Sequence, residues 1–224
     1  MQGLYPFRGL SPCPVPPLRP QALVPRSAPW FSGKTRESDY HHGDLRQALL
    51  QAARQTLEQN GPSSLSLREL ARRVGVSHAA PYRHFTSREE LLIALATDGF
   101  DELTSRLRAA EKATGTLQGM GQAYVGFAVE NPSLYKLMFS PELDRRRPEL
   151  LAEAAAAAFG LLREQTTADD GERSGTLAAW ALVHGLSQLL IDRLLSEELL
   201  AADRLPALVT AVLGHLRVEP PGNP

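Results

Sequence analysis

A short amphipathic helix is the clearest element that the pattern of apolar and polar positions predicts. Four apolar residues recur at i, i+3, i+4 and i+7, which is one face of an α-helix over two turns. They are Leu67, Leu70, Ala71 and Val74. Ser66 and Glu69 have the spacing of a capping box at its start. Gly75 follows where a left-handed residue would end the helix, and Ser77 can cap a second helix. Two short helices joined by such a turn form a helix-turn-helix.

The second helix of this pair has a buried side and an exposed side. Its spacing turns Pro81 and Phe85 inward. The side chains left outside are those of His78, Ala79, Tyr82, Arg83 and His84. In a helix-turn-helix, the second helix lies in the major groove of DNA, and residues near its N-terminus reach base edges. The exposed side chains are therefore candidate DNA contacts.

The remaining apolar pattern also predicts helices, and no window shows the period-two alternation of a strand. A first helix is expected over about 44–59, before Asn60-Gly61-Pro62, and a long one over about 87–110. Five more are expected over about 116–130, 132–140, 148–165, 174–196 and 203–217. The fold class is therefore all-α with about nine helices. An N-terminal three-helix head would be joined by the long helix to a helical body.

The predicted helix over 174–196 is apolar nearly all round. Trp180 and His184 share one side, while Leu182, Leu186 and Leu189 lie on the rest. A helix of this kind must be covered on two sides. A second copy of the chain is the simplest surface that would bury the second side. The apolar spacing of the predicted last helix supports such a homodimer. A deep core in a monomer is the alternative.

The charge and composition are those of a globular protein with a basic N-terminal region. Residues 1–33 carry a net charge of +3, residues 34–90 a net charge of +2, and residues 91–224 a net charge of −6. A DNA-binding head on an acidic body would have this distribution. The single cysteine, Cys13, excludes an internal disulfide and suits a reducing cytoplasm. No run reaches the roughly 18 consecutive apolar residues of a membrane span, so a cytoplasmic protein without a membrane partner is expected.

The ends of the chain differ in composition from its middle. Residues 1–33 contain eight prolines, which disfavour helix and central strand. We therefore expect a disordered tail and basic arm over 1–40 and a disordered end over 218–224. Between them, a DNA-binding domain is expected over 41–101 and a ligand-binding and dimerisation domain over 102–217.

The run Val76-Ser-His-Ala-Ala-Pro-Tyr82-Arg-His-Phe85-Thr-Ser-Arg88-Glu-Glu-Leu91 resembles the DNA-binding signature of the TetR (tetracycline repressor) family. The resemblance covers residues 41–101. More weakly, Trp180-x-x-x-His184-Gly185 and the segment 131–139 resemble a subgroup of that family. The resemblance implies double-stranded operator DNA as partner, with phosphates clamped by Tyr82, His84 and Arg88. Ser66 and Ser77 can cap helices and also donate to phosphate. His78 and Ala79 are placed for base contacts.

A ligand pocket is expected in the body. Trp180 and His184 are four residues apart and share a helix face. His184 either points into a cavity with Trp180 as a wall or is a satisfied core residue. Further candidates for the pocket wall are Tyr124, Phe127, Met138, Phe139 and Phe159. An unidentified small molecule would bind there.

Enzymatic chemistry is not indicated. Gly119 and Gly121 lack the third glycine of a dinucleotide fingerprint, and no strand precedes them. His41 and His42 have no Cys or carboxylate at metal-ligand spacing, so neither a metal nor a cofactor is expected. The sequence thus predicts a homodimeric repressor that a small molecule releases from its operator. The alternatives are an all-α ligand carrier or enzyme without DNA binding, and an activator of the same fold.

Overall fold

The computed structural model describes residues 42–141, 143, 149–166, 173–196, 198–200 and 204–215. The expected tail over 1–40 and the expected end over 218–224 lie outside them. The helices are α1 His42–Asn60, α2 Leu67–Val74, α3 Arg88–Thr114, α4 Leu117–Glu130, α5 Pro132–Met138, α6 Glu149–Thr166, α7 Arg173–Ile191 and α8 Leu205–Leu213. Two 3-10 turns, Pro62–Ser64 and Ala80–Arg83, lie in the head. No strand occurs in these described residues, and the all-α prediction is confirmed.

The head consists of α1, α2 and the two 3-10 turns around a shared apolar core. Leu49, Leu57, Leu70 and Phe85 are almost completely buried there. Gly75 ends α2 with φ of 80°, a left-handed conformation that glycine adopts without a steric penalty, as the sequence predicts. The head therefore holds the connection after α2 at a fixed angle.

Helix α3 is the longest element and joins the head to the body. Its first turn is capped by Ser87, whose hydroxyl accepts a hydrogen bond from the Glu90 amide at 3.1 Å. One apolar stripe of α3 is buried, and it consists of Leu91, Leu92, Leu95, Phe100, Leu103 and Leu107. Helices α4, α5 and α6 pack along α3, so one continuous core runs from head to body.

The expected recognition helix is only a 3-10 turn, and the side-chain cap bonds expected of Ser66 and Ser77 are absent. Pro81 has no N–H to donate to the Ser77 carbonyl, and the Ala80 amide donates to that carbonyl at 3.0 Å instead. Residues 80–83 consequently wind more tightly than an α-helix. Ser77 therefore caps no helix through its side chain. Ser66 is the N-cap residue of α2, as predicted, but its side chain makes no cap bond. The Glu69 carboxylate, which would complete the capping box, pairs with Arg72 instead.

A polar seam links α1 to the junction of α4 and α5. The Glu58 carboxylate accepts hydrogen bonds from the amides of Ser133 at 3.1 Å and Leu134 at 2.9 Å. Arg54 donates to the Asn131 side chain at 2.7 Å. A carboxylate at a helix N-terminus satisfies free amides and opposes the positive end of the helix dipole. The head thus supplies the cap of a body helix.

The same seam continues as a chain of ion pairs. Glu102 on α3 lies 2.7 Å from Arg54 and 2.7 Å from Arg106, and Arg106 reaches Glu130 at 2.6 Å. Burial acts to raise the pKa of Glu102, but hydrogen bonds from both arginines outweigh it, and the pKa lies below its usual value. The carboxylate is therefore charged near neutral pH, and the chain of ion pairs joins α1, α3 and α4.

Helix α7 buries one face and leaves an apolar face open. Ala179, Val183, Leu186 and Leu190 are buried, whereas Leu189 is 40% exposed. The open face is formed by Ala178, Ala181, Leu182, Gly185 and Leu189, at helical spacing. By length and composition alone, Ser174–Ile191 could cross a membrane. Helix α7 also has the features of a helix packed between two protein surfaces, because one face is buried against the body core and the open face carries small residues.

Helix α7 ends at Ile191, five residues before the predicted end. The chain turns at Arg193, whose φ of 54° is left-handed, and the Leu194 amide donates to the Leu189 carbonyl at 3.0 Å. No glycine or proline marks this end in the sequence, so the apolar pattern overruns it.

Replacing Arg193 with glycine is expected to raise the free energy of unfolding by about 1 kcal/mol, because glycine relieves the left-handed conformation. Arg108→Gly in the exposed middle of α3 is the matched control and should lower it by about 1 kcal/mol. Urea unfolding followed by circular dichroism measures both. If both variants changed the free energy of unfolding in the same direction, Arg193 would not be a strained left-handed residue.

Candidate functional site: the exposed turn and the core cavity

The 3-10 turn and the residues before it present the predicted DNA-contacting side chains on the surface. His78, Ala79 and Arg83 are exposed, and Tyr82 is 53% exposed. Pro81 and Phe85 point inward and are buried, as predicted. The turn is anchored from below by Phe85, over whose ring the Arg46 guanidinium stacks at 5.5 Å from the centroid. A rigid base therefore carries four exposed candidate contacts.

His84 is not on the outer side, contrary to the prediction. Its side chain is half-buried, and its Nε2 atom is enclosed without a hydrogen-bond partner. The tighter 3-10 winding after Pro81 rotates His84 toward the head core, because three residues rather than 3.6 complete a turn. As it stands in this structure, His84 does not present Nε2 to a phosphate.

Arg88 lies at the surface but is already used inside the head. Its Nε donates to the Leu65 carbonyl at 3.1 Å and its Nη2 to the Pro62 carbonyl at 2.6 Å. These bonds fasten the start of α3 to the turn before α2. The side chain remains exposed, so a phosphate contact and this internal role are compatible.

Charge at this surface is partly neutralised. Arg72 forms a bidentate pair with Glu69, and the hydrogen bond from Arg72 holds the pKa of Glu69 below its usual value. Arg68 and Arg83 form no ion pair within the part of the chain that the structure describes. They are therefore the cations most available to DNA phosphates. Arg68 was not predicted, although its place on the polar face of α2 could have indicated it.

A cavity of about 190 Å³, partly open to solvent, lies in the body between α3, α4, α6 and α7. Its lining consists of Phe100, Leu103, Leu107, Leu117, Met120, Gly121, Tyr124, Phe139, Ala155, Ala158, Phe159, Leu162, Trp180 and Val183. Four predicted wall residues, namely Tyr124, Phe139, Phe159 and Trp180, are among them. The lining residues that α3 supplies were not predicted as part of the pocket, although the spacing of Leu103 and Leu107 places both on one buried stripe.

Three predicted wall residues do not line the cavity. Phe127 is fully buried with the Arg106 guanidinium 5.4 Å from its ring centroid. Met138 is fully buried against Gly99, where an added Cβ would lie 2.7 Å from the Met138 sulfur. His184 stands behind the wall, with its ring 4.7 Å from that of Phe139.

A cluster of hydrogen-bonding groups lies at the cavity wall. The Tyr135 hydroxyl lies 2.7 Å from His184 Nδ1, and the Tyr124 hydroxyl lies 3.1 Å from that of Tyr135 and 3.2 Å from the same nitrogen. Burial raises the pKa of Tyr124 to about 12, although hydrogen bonding with Tyr135 and Trp180 opposes the rise. The Tyr124 phenol therefore keeps its proton near neutral pH. Of the cluster, only Tyr124 faces the cavity.

Metal chemistry is not indicated within the part of the chain that the structure describes. Among the described residues, no group of three or more His, Cys, Asp or Glu side chains could hold a metal ion. The arrangement instead combines an exposed cationic turn with an apolar internal cavity.

Comparison with known proteins identifies the family. The model of bacterial regulatory proteins of the tetR family matches residues 49–95, and that of the tetracyclin repressor-like C-terminal domain matches residues 117–216. The nucleoid occlusion factor SlmA of Vibrio cholerae is 35% identical over 132 residues, which are 54% of this chain and 67% of SlmA. The chain belongs to the TetR family.

Other relatives of this TetR-family chain cover different shares of its length. An HTH-type transcriptional regulator of Mycobacterium tuberculosis is 29% identical over 113 residues. The match spans 48% of this chain and about half of the relative, 47% of its length. A solved structure of a protein with unknown function from Rhodococcus sp. RHA1 has a TM-score of 0.65 and 35% identity, covering 80% of this chain and 94% of that one. The family resemblance of the sequence is thereby confirmed.

Proposed function

We propose that this TetR-family chain is a cytoplasmic, homodimeric repressor that binds operator DNA and is released by a small molecule. Residues 41–101 would bind the DNA, and residues 102–217 would bind the ligand and pair the subunits. The observation that carries the proposal is the exposed turn, where Tyr82 and Arg83 project outward from a fixed base. Trp180, His184 and Gly185 further suggest the Trp-x-x-x-His-Gly subgroup.

Paired binding requires two turns at a fixed spacing. Two half-sites on one face of DNA lie about 34–36 Å apart, so the subunits must hold their turns at that distance. The open face of α7 supports a two-fold pairing, because its apolar residues at helical spacing have no cover within the described chain. Gly185 on this face meets nothing within 4 Å of an added Cβ, which leaves room for a close helix contact.

Release by a ligand follows from the course of α3. The helix begins with Arg88 beside the DNA-contacting turn, and Phe100, Leu103 and Leu107 line the cavity further along it. A compound in the cavity would shift α3 and so change the spacing of the two turns. Coupling of this kind is reciprocal, so an inducer must bind the DNA-bound dimer more weakly than the free dimer.

A thermal-shift screen with small apolar compounds would find such an inducer. A ligand of the native state at about 100 times its Kd adds about 2.7 kcal/mol to the free energy of unfolding. An activator would differ in the direction of the transcriptional response, and a carrier without DNA binding would show no gel shift.

Arg83→Ala tests the DNA-binding surface. We expect it to weaken binding to DNA flanking the protein's own gene and to lower the dependence of log K on log salt by about one, because one phosphate contact is lost. Arg108→Ala, an exposed arginine of α3 in the body, is the control and should leave both unchanged. Fluorescence anisotropy over a salt series measures the slope. An unchanged slope for Arg83→Ala would show that Arg83 does not contact DNA phosphates.

Arg88→Ala should behave differently from Arg83→Ala. Because Arg88 holds the carbonyls of Pro62 and Leu65, its loss is expected to lower thermal stability as well as DNA affinity. A variant with lower affinity and unchanged melting temperature would make Arg88 a DNA contact only.

A further inference from the structure

The chemistry of the cavity wall restricts what can enter it. None of the described residues that line it carries a charge, and most offer only carbon atoms. The hydrogen-bonding groups on its side chains are the Tyr124 hydroxyl and the indole N–H of Trp180, and the indole N–H donates to that hydroxyl. A buried ion without a partner is strongly unfavourable. An ionised ligand would therefore lose its hydration and gain no opposite charge.

The volume and the aromatic lining of the cavity suggest a ring compound. Roughly 150 Å³ of apolar space is enough to hold benzene, and this cavity measures about 190 Å³. Five aromatic side chains form part of the wall, and Phe159 and Trp180 meet edge to face with centroids 6.1 Å apart. Such walls favour a flat partner that can take stacked or edge contacts.

The Tyr124 hydroxyl supplies the one fixed polar point near the buried cluster. It can donate one hydrogen bond and accept others, and its neighbours Tyr135 and His184 hold it in place from behind the wall. Because the phenol keeps its proton, it does not supply a negative charge to attract a cation. A ligand hydroxyl, carbonyl or amide can join this cluster without bringing in a charge.

We infer that the cavity binds an uncharged compound of one or two rings whose single hydrogen-bonding group meets the Tyr124 hydroxyl. The inference rests on the proposed function, since it names the class of molecule that would act at the same site. It excludes carboxylates, phosphate esters and ammonium compounds of the same size as ligands of this cavity.

A matched series of probes tests the class of ligand. Naphthol, naphthalene and naphthoate share a two-ring frame and differ in one group. At neutral pH, calorimetry on the full chain without DNA should give the tightest binding for naphthol. Naphthalene should bind about tenfold more weakly, through loss of one hydrogen bond. Naphthoate should bind at least about 100-fold more weakly, through an unpaired buried charge. Naphthoate binding equal to that of naphthol, or no measurable naphthol binding, would overturn the inference.

Two variants locate the binding. Tyr124→Phe keeps the ring and should make naphthol and naphthalene bind equally, whereas the exposed Tyr82→Phe should preserve the difference. Ala158→Trp fills the cavity and should abolish binding of both probes in protein that circular dichroism finds folded. A preserved tenfold preference in folded Tyr124→Phe, or full binding in folded Ala158→Trp, would place the probes elsewhere and refute the assignment.

A DNA readout separates this inference from the proposed function. Naphthol added to the protein–DNA complex is expected to lower DNA affinity in the wild type and not in Ala158→Trp. If naphthol binds with the predicted selectivity but leaves DNA affinity unchanged, the ligand class is upheld and the inducer role of the cavity fails.

Discussion

Leu189→Arg is expected to convert the dimer into monomers and to weaken binding to a two-half-site operator by about 100-fold or more. Leu189 lies on the open face of α7 and is 40% exposed in the single chain. In the proposed dimer the new guanidinium would be buried without a partner at an apolar contact. A monomer keeps one turn on one half-site and loses the advantage of the second, intramolecular contact.

The matched control for this prediction is Leu150→Arg. Leu150 is 70% exposed near the start of α6 and lies off the α7 face, so the same substitution there should leave the dimer intact. Sedimentation at micromolar concentration gives the mass, and anisotropy with intact and single half-site DNA gives the affinities. A folded monomer in the wild type, or a dimer in Leu189→Arg, would rule out pairing through this face.

Glu58→Ala is expected to lower the free energy of unfolding by about 1–3 kcal/mol, because two amides at the start of α5 lose their acceptor. The loss is larger than that of an ordinary surface residue, since the carboxylate also faces the positive end of the helix dipole. Urea unfolding measures the change.

Two further variants separate the cap from side-chain loss in general. Glu58→Gln retains one acceptor oxygen and should recover part of the stability. Glu89→Ala, an exposed acidic residue in the first turn of α3, should cost less than Glu58→Ala. Equal losses for Glu58→Ala and Glu89→Ala would mean that the carboxylate does not stabilise α5.

The sequence predicts the fold well where one local pattern decides the outcome. The stripe of leucines in α3, the left-handed Gly75 and the Ser87 cap follow from spacing and residue type alone. The end of α7 does not, because Arg193 turns the chain in a conformation that its residue type disfavours. The 3-10 turn also differs from the expected helix, although Pro81, which causes it, is visible in the sequence.

The candidate sites are predictable only in part, because their geometry depends on contacts between distant segments. The exposure of Tyr82 and Arg83 follows from the helix-turn-helix pattern. The internal bonds of Arg88 join residues 23 and 26 positions apart, and no local rule indicates them. Likewise, periodicity places Trp180 and His184 on one side of a helix, but only packing puts Trp180 on the cavity wall and His184 behind it.

Helix α5 has a consequence for the genetics of such a regulator. Its N-terminus is capped by Glu58 of the head, and Phe139, just past its C-terminus, lines the cavity. The two ends are only about 10 Å apart along seven residues, whereas α3 runs for roughly 28 Å from Arg88 to Leu107. Gly99 packs closely on Met138 of α5, so a side chain at position 99 would force Met138 to shift. If a ligand in the cavity releases the DNA as proposed, selection for regulators that no longer respond to it should recover substitutions at Glu58, Asn131 and Gly99, none of which lines the cavity or lies in the proposed DNA-contacting turn.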